Sequence, residues 1–265
     1  MNTGHNPTRR SRNIGTAKQG HGQDNRLVVP ESRHSLRIYW ADLKEYSVVI
    51  RTINFHTLHI IVEKTRDDAC HACTVDDITS FLWHIPPADL AAVELIVLRQ
   101  PTRKQTTLES VWGRAVFCVE IGAHIGPAVM LEAMTPDKPF RWSKSLAPDE
   151  QRELERLRED GHNISETRHN YVITPSLEAI RATQLYRTLP HEIGHQVDYR
   201  AYPYDDDGNT AWDNKPSADK EAFAHRYADT LRRELKKQGI IPFPRQLNPE
   251  TIALAGLNVS DFQTN

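Results

Sequence analysis

Apolar positions fall into short β-branched runs in the first half of the chain and into ridges of helical spacing in the second. Strands are expected at Leu36–Trp40, Ser47–Ile53, Leu58–Val62 and Glu94–Leu98. A further pair, Arg114–Ile121 and Ala128–Glu132, flanks the turn-rich stretch Gly122-Ala123-His124-Ile125-Gly126-Pro127. Val75–Trp83 and Ala88–Val93 read as helices, the first with Thr74 as N-cap and Asp76 and Asp77 in its opening turn. Pro148–Glu159 is charge-dense, as in a solvated helix with acid–base pairs four apart, and Tyr171–Ile173 is a short strand before a helix opened by Ser176. Leu189, Ile193 and Val197 then form one apolar ridge. Phe223, Tyr227, Leu231 and Leu235 form another, behind Ser217 as N-cap and Asp219 in the first turn. Strands followed by two long helices predict an α+β fold with a mixed β-sheet.

At 265 residues the chain has room for one large or two small domains. We expect a disordered polar, basic tail over 1–35, a sheet-bearing α+β region over 36–174, a helical part of the same domain over 175–245 and a C-terminal tail over 246–265. The net charge of −2 gives no electrostatic case for nucleic acid, and Arg9, Arg10 and Arg12 read as part of a solvated tail. No apolar run approaches the length of a membrane span, and the N-terminus lacks the apolar core of a secretory signal. Cytoplasmic residence is the default expectation, with export by a route that reads no N-terminal signal left open. Three cysteines do not make a disulfide framework, and Cys70-His71-Ala72-Cys73 has no second pair of matching spacing. The sequence does not specify an oligomeric state.

One stretch carries chemistry. His191-Glu192-Ile193-Gly194-His195 reads H-E-x-x-H. Residues four apart on a helix lie one above the other, so His191 and His195 can aim their imidazoles at one ion. Glu192 falls beside that ion, where it can act as general base on a metal-bound water. A catalytic zinc site usually has a third protein ligand and an open position. On the next helix Glu221 is the preferred third ligand, with small residues beside it that permit close helix packing; Asp219 and His225 are alternatives. Gly194, costly inside a helix, implies a close approach to its backbone. Pro190 implies either a new helix or a kink just before the motif. Asp198, one turn beyond the pair, is a candidate acceptor for a histidine N–H, and the acidic loop Asp205-Asp206-Asp207 is a candidate for favouring basic substrates.

H-E-x-G-H-x-V-D, followed by Glu221-Ala222-Phe223-Ala224-His225-Arg226-Tyr227, resembles the gluzincin branch of the zinc metallopeptidases, and within it the peptidase domain of anthrax lethal factor and its relatives. The resemblance covers about Leu189 to Leu235. It implies a zincin-like domain whose active-site helix carries H-E-x-x-H, one zinc per chain held by His191, His195 and Glu221, and Glu192 as catalytic base. A protein or peptide would be the substrate. A second family of small regulatory zinc peptidases has a similar segment in a register that would make Asp219 the ligand. The lethal-factor family carries an oxyanion-steadying tyrosine before its third ligand; this chain has Trp212-Asp213-Asn214-Lys215 there. Tyr199, Tyr202, Tyr204 and His225 are the candidate substitutes. The expected function is a zinc endopeptidase, the alternative a zincin-fold regulatory or effector protein that acts mainly by binding one partner.

Overall fold

The computed structural model describes residues 42–108, 111–204 and 210–263. The expected tail over 1–35, the strand Leu36–Trp40 and the acidic loop Asp205-Asp206-Asp207 lie outside the described residues. The chain runs β1 (Tyr46–Ile53), β2 (His56–Glu63), α1 (Val75–Leu82), α2 (Pro87–Leu90), β3 (Leu95–Arg99), α3 (Arg103–Leu108), β4 (Gly113–Ile121) and β5 (His124–Glu132). It continues with β6 (Phe140–Ser143), α4 (Pro148–Glu159), β7 (Asn163–Glu166), β8 (Asn170–Thr174), α5 (Leu177–Thr183), a π-helical turn (Gln184–Thr188), α6 (Leu189–Arg200), α7 (Ser217–Lys237) and α8 (Pro249–Leu254).

The fold is α+β. Five strands form a mixed sheet in the order β1-β2-β3-β5-β4, and β6-β8-β7 form a small antiparallel sheet. Two tight hairpins explain the antiparallel pairs at the ends of the large sheet. Asn54 and Phe55 both take left-handed φ at the β1–β2 turn, and Gly122 does so at the β4–β5 turn. The inner pairs, β2–β3 and β3–β5, are parallel and need longer crossovers. Among the described residues β4 is therefore an edge strand.

One sheet face, with Leu58, Ile60, Ile96, Leu98, Val129 and Leu131, packs against Ile78 and Phe81 of α1, Leu185 of the π-turn, Leu189 and Ile193 of α6 and Leu235 of α7. Thr74 caps α1 as expected: its hydroxyl accepts from the Asp77 N–H at 3.0 Å while the Asp77 carboxylate accepts from the Thr74 N–H at 3.1 Å. The buried Asp77 also holds the Arg181 guanidinium at 2.8 and 3.0 Å, tying α1 to α5.

Three expectations change. The β4–β5 turn is tighter, because the strand restarts at His124 rather than Ala128. Ser217 is the first helical residue of α7 and Pro216 its cap, since a proline with extended ψ starts a helix without a side-chain acceptor. Residues 246–263 are no tail: Asn248 caps α8, and Ile252, Leu257 and Phe262 are buried in the main core. Their spacing of five matches neither the helix nor the strand period.

Two histidines are buried with one nitrogen unpartnered. His71 Nε2 donates to the Glu63 carbonyl at 2.7 Å, leaving Nδ1 bare. Thr183 donates its hydroxyl to Asp160, so it accepts from His162 Nε2 at 2.9 Å, and again Nδ1 is bare. Burial pushes both rings down to about 4. The folded protein then keeps them neutral where the unfolded chain, titrating at about 6.5, takes up protons. Stability should fall as pH drops from about 6.5 toward 4, because there the unfolded state binds more protons. Denaturant midpoints at pH 7 and pH 4.5 would measure it; His162→Phe should flatten the slope, and an unchanged slope would reject the assignment for that ring.

Candidate metal centre

The backbone around the motif is shaped by Pro190. The proline cannot donate to Tyr186, four residues back, and its ring needs room on the preceding turn. Rather than break, the chain widens into the π-turn Gln184–Thr188 and resumes α-geometry at Leu189, with Pro190 in the first turn. Both histidines are consequently helical. Leu189 and Ile193 are fully buried on one side of α6, which leaves His191 and Glu192 on the side away from the core.

Gly194 faces α7. A Cβ there would lie 3.1 Å from Ala224 Cα and 3.2 Å from Tyr227 Cβ, so the two helices pack nearly backbone to backbone. Ala224 and Ala228 are buried in that contact. The close approach places Glu221, one turn before Ala224, over the histidine pair.

His191 Nε2 and His195 Nε2 are 3.1 Å apart, and each is 3.4 Å from a different Glu221 oxygen. Ligand atoms set tetrahedrally about 2.0–2.1 Å from one zinc ion would be separated by about 3.3–3.4 Å. The two imidazole nitrogens are close to that edge, and the Glu221 carboxylate straddles them with one oxygen facing each. Two imidazoles and a carboxylate converging on one point are a donor set suited to zinc. Among the described residues this is the one group of three or more His, Cys, Asp or Glu side chains that could hold a metal. The two imidazoles keep the Glu221 carboxyl far below the usual range. Burial lowers His195, but Glu221 and Glu192 outweigh it and the net shift is upward. Asp219, two residues earlier, is exposed and outside the group. His225 lies beside it, its ring centroid 4.5 Å from that of His191.

Glu192 turns toward the sheet edge, where its Oε2 accepts from the backbone N–H of Ala115 at 2.8 Å. Burial raises its pKa, opposed by His191, His195 and the Ala115 bond. β4 and α6 are joined by contacts that advance along both elements. Thr188 lies against Gly113, Glu192 binds Ala115, Gln196 binds Val116, and Tyr199 stacks on Phe117 with centroids 4.3 Å apart. Two glutamines that the sequence analysis does not single out lock this alignment. Gln196 Nε2 donates to the carbonyls of Val116 and Ala128 at 3.0 and 2.9 Å, next to the β4 bulge. Gln184 Nε2 donates to those of Trp112 and Glu132 at 2.9 and 2.7 Å.

A cavity of about 300 Å³ opens beside the centre, lined by Trp112, Gly113, Arg156, His191, Glu192 and His225 among others. His225 Nδ1 is 3.4 Å from an Arg156 guanidinium nitrogen. A guanidinium only donates, so Nδ1 is the acceptor and the neutral ring carries its proton on Nε2. The candidate tyrosines are engaged elsewhere: Tyr199 bonds Tyr204 hydroxyl to hydroxyl, and Tyr202 lies by the Lys215 ammonium. Among the described residues none lines the cavity. Asp198 also has another task, since its buried carboxylate accepts from Trp212 Nε1 at 2.9 Å and from Lys215 Nζ at 2.6 Å, pinning the turn before α7. Cys70 and Cys73 are buried and Cys118 is exposed, all as free thiols. Burial pushes Cys70 up to about 11. No described helix is long and apolar enough to cross a membrane.

Compared with protein-family models, curated proteins and solved structures, the chain matches none of them. Any functional reading therefore rests on the geometry of the site and on the motif.

Proposed function

We propose that this chain is a zinc-dependent endopeptidase of zincin-like fold, with a protein or peptide as substrate. The observation that carries the reading is the convergence of His191, His195 and Glu221 on one point beside a carboxylate, Glu192, that is not part of the set. These three side chains would hold one zinc ion. Zinc bound there makes water acidic near neutral pH and polarises a carbonyl. Glu192 accepts the proton of the attacking water and delivers it to the leaving amine. Its bond to Ala115 holds the carboxylate in place, and its burial moves it toward the range in which a carboxylate both accepts and returns a proton.

His225 donates from Nε2 to the carbonyl oxygen as negative charge grows there, with Arg156 holding the tautomer. This replaces the tyrosine of the lethal-factor family with an imidazole one helical turn after the third ligand. β4 ends the sheet among the described residues, and with the Ala115 N–H taken by Glu192 and the Val116 carbonyl by Gln196, its remaining outward backbone groups pair an extended substrate along the main chain.

The test is metal dependence. Purified chain, stripped by a chelator and reloaded with zinc, should cleave members of a mixed peptide library, and the stripped chain should not. Equal cleavage with and without zinc, or none after reloading, would overturn the reading.

A further inference from the structure

A second cavity, of about 460 Å³, adjoins the first, and Val111 and Trp112 line both. Arg66, Arg99, Arg114, Lys138 and Arg141 line it together with the carboxylate of Glu132 among the described residues. Arg99 and Arg114 are partnered, with Glu132 at 2.8 Å and 3.5 Å among their contacts, and add no spare charge. Arg66 is held by Asp68 at 3.0 Å. Lys138 and Arg141 are exposed and make no ion pair with a described residue. The first cavity differs: Glu153 and Asp229 there balance Arg156 and Arg187. Selection by charge therefore belongs to the second groove.

The groove is also aromatic. Phe140 and Trp142 share the half-buried face of β6, Arg141 lies on its exposed face, and Trp112 lines both cavities. Aromatic faces edged by cations suit a ligand that carries anionic groups along a partly apolar backbone. The cations come from separate segments, after β2, at the end of β3, at the start of β4 and around the start of β6. A single phosphate is bound by donors converging on one point, which is a different pattern. The two cavities share Val111 and Trp112, immediately before β4, so the groove lies next to the cavity beside the metal centre.

We propose that this groove binds an acidic, aromatic-containing segment of a polypeptide, and that such a segment next to the scissile bond defines the substrate class of the centre. The second half of this statement rests on the peptidase reading; the first does not. The occupant is a chain of carboxylates because the groove offers the positive charge of Lys138 and Arg141, volume for several side chains, and a place next to the cavity that Glu192 lines.

Binding is measured on full-length Glu192→Gln protein, so that it is read without cleavage. The probe is a blocked pentapeptide of four glutamates around one dansylated lysine, with its glutamine counterpart as control, followed by fluorescence anisotropy. The acidic probe should bind at least tenfold more tightly than the glutamine probe, and addition of Lys138→Glu with Arg141→Glu should remove that preference. Both side chains are exposed, so the charge reversal should not disturb folding. Equal binding of the two probes would overturn the proposal, as would a preference that survives charge reversal. Displacement of the acidic probe by adenosine triphosphate at a lower concentration than by unlabelled peptide would also overturn it, in favour of a phosphate-bearing ligand. A chain that selects the acidic probe yet never cleaves keeps the groove and loses the peptidase reading; a chain that cleaves without charge preference does the opposite.

Discussion

Glu192→Gln should abolish peptide hydrolysis while leaving the metal in place. The amide has the shape of the carboxylate, and its oxygen can still accept from Ala115, so neither α6 nor β4 should move. It cannot take a proton from water. General-base groups contribute about 10²–10⁴-fold, so kcat should fall by that much, or about 3–5 kcal/mol of barrier, with KM changed little. The readouts are progress curves on a cleaved library peptide together with zinc content by mass spectrometry. Retained activity would remove Glu192 from the chemistry. Loss of zinc along with activity would instead mean that this carboxylate holds the metal, contrary to its bond to the sheet edge.

Replacing Glu221 with alanine should empty the centre. Its side chain is 55 % exposed and alanine is the best helix former, so α7 should keep its fold and its contact with Gly194. What is lost is one of three donors. Supporting groups outside the ligand set are already worth about 10–100-fold in affinity, so removal of a ligand should cost on the order of a hundredfold or more. Zinc should drop from about one per chain to a small fraction after dialysis, and Asp219→Ala should leave it unchanged. If zinc survives Glu221→Ala and disappears in Asp219→Ala or His225→Ala, the ligand set is wrong while the metal remains.

Much of the site was legible because it is local. The His191–His195 spacing, the small residues Ala224 and Ala228, and the cost of Gly194 inside a helix all point to two helices in close contact with donors between them. The choice among Asp219, Glu221 and His225 was not legible, since all three lie within two turns of one helix. It depends on the rotation of α7 about its axis, which the packing of Ala224 against Gly194 sets. The partners of Asp198 were not legible for a related reason: Trp212 and Lys215 reach it only when the turn before α7 folds back.

The same division holds for the fold. The strong strands and both motif helices follow from hydrophobic period and β-branched content, which act within a few residues. The weaker pieces escape that reading. β6 and β7 are four-residue strands without alternation strong enough to register, and α8 is recognised by its cap and its buried side rather than by a repeat. The two bridging glutamines, Gln184 and Gln196, carry no pattern at all until the β4–β5 pair lies against the helix.

By itself, the sequence determined which residues can do chemistry and which elements carry them, because side-chain type, helical spacing and turn propensity are short-range properties. Only the tertiary structure decided which carboxylate meets the histidines, that Glu192 bonds the backbone of β4, that His225 and no described tyrosine lines the first cavity, and that a second groove with exposed cations lies next to it. Each of these depends on the relative placement of segments far apart in the chain, and that placement is fixed by core packing and buried hydrogen bonds that no local pattern encodes.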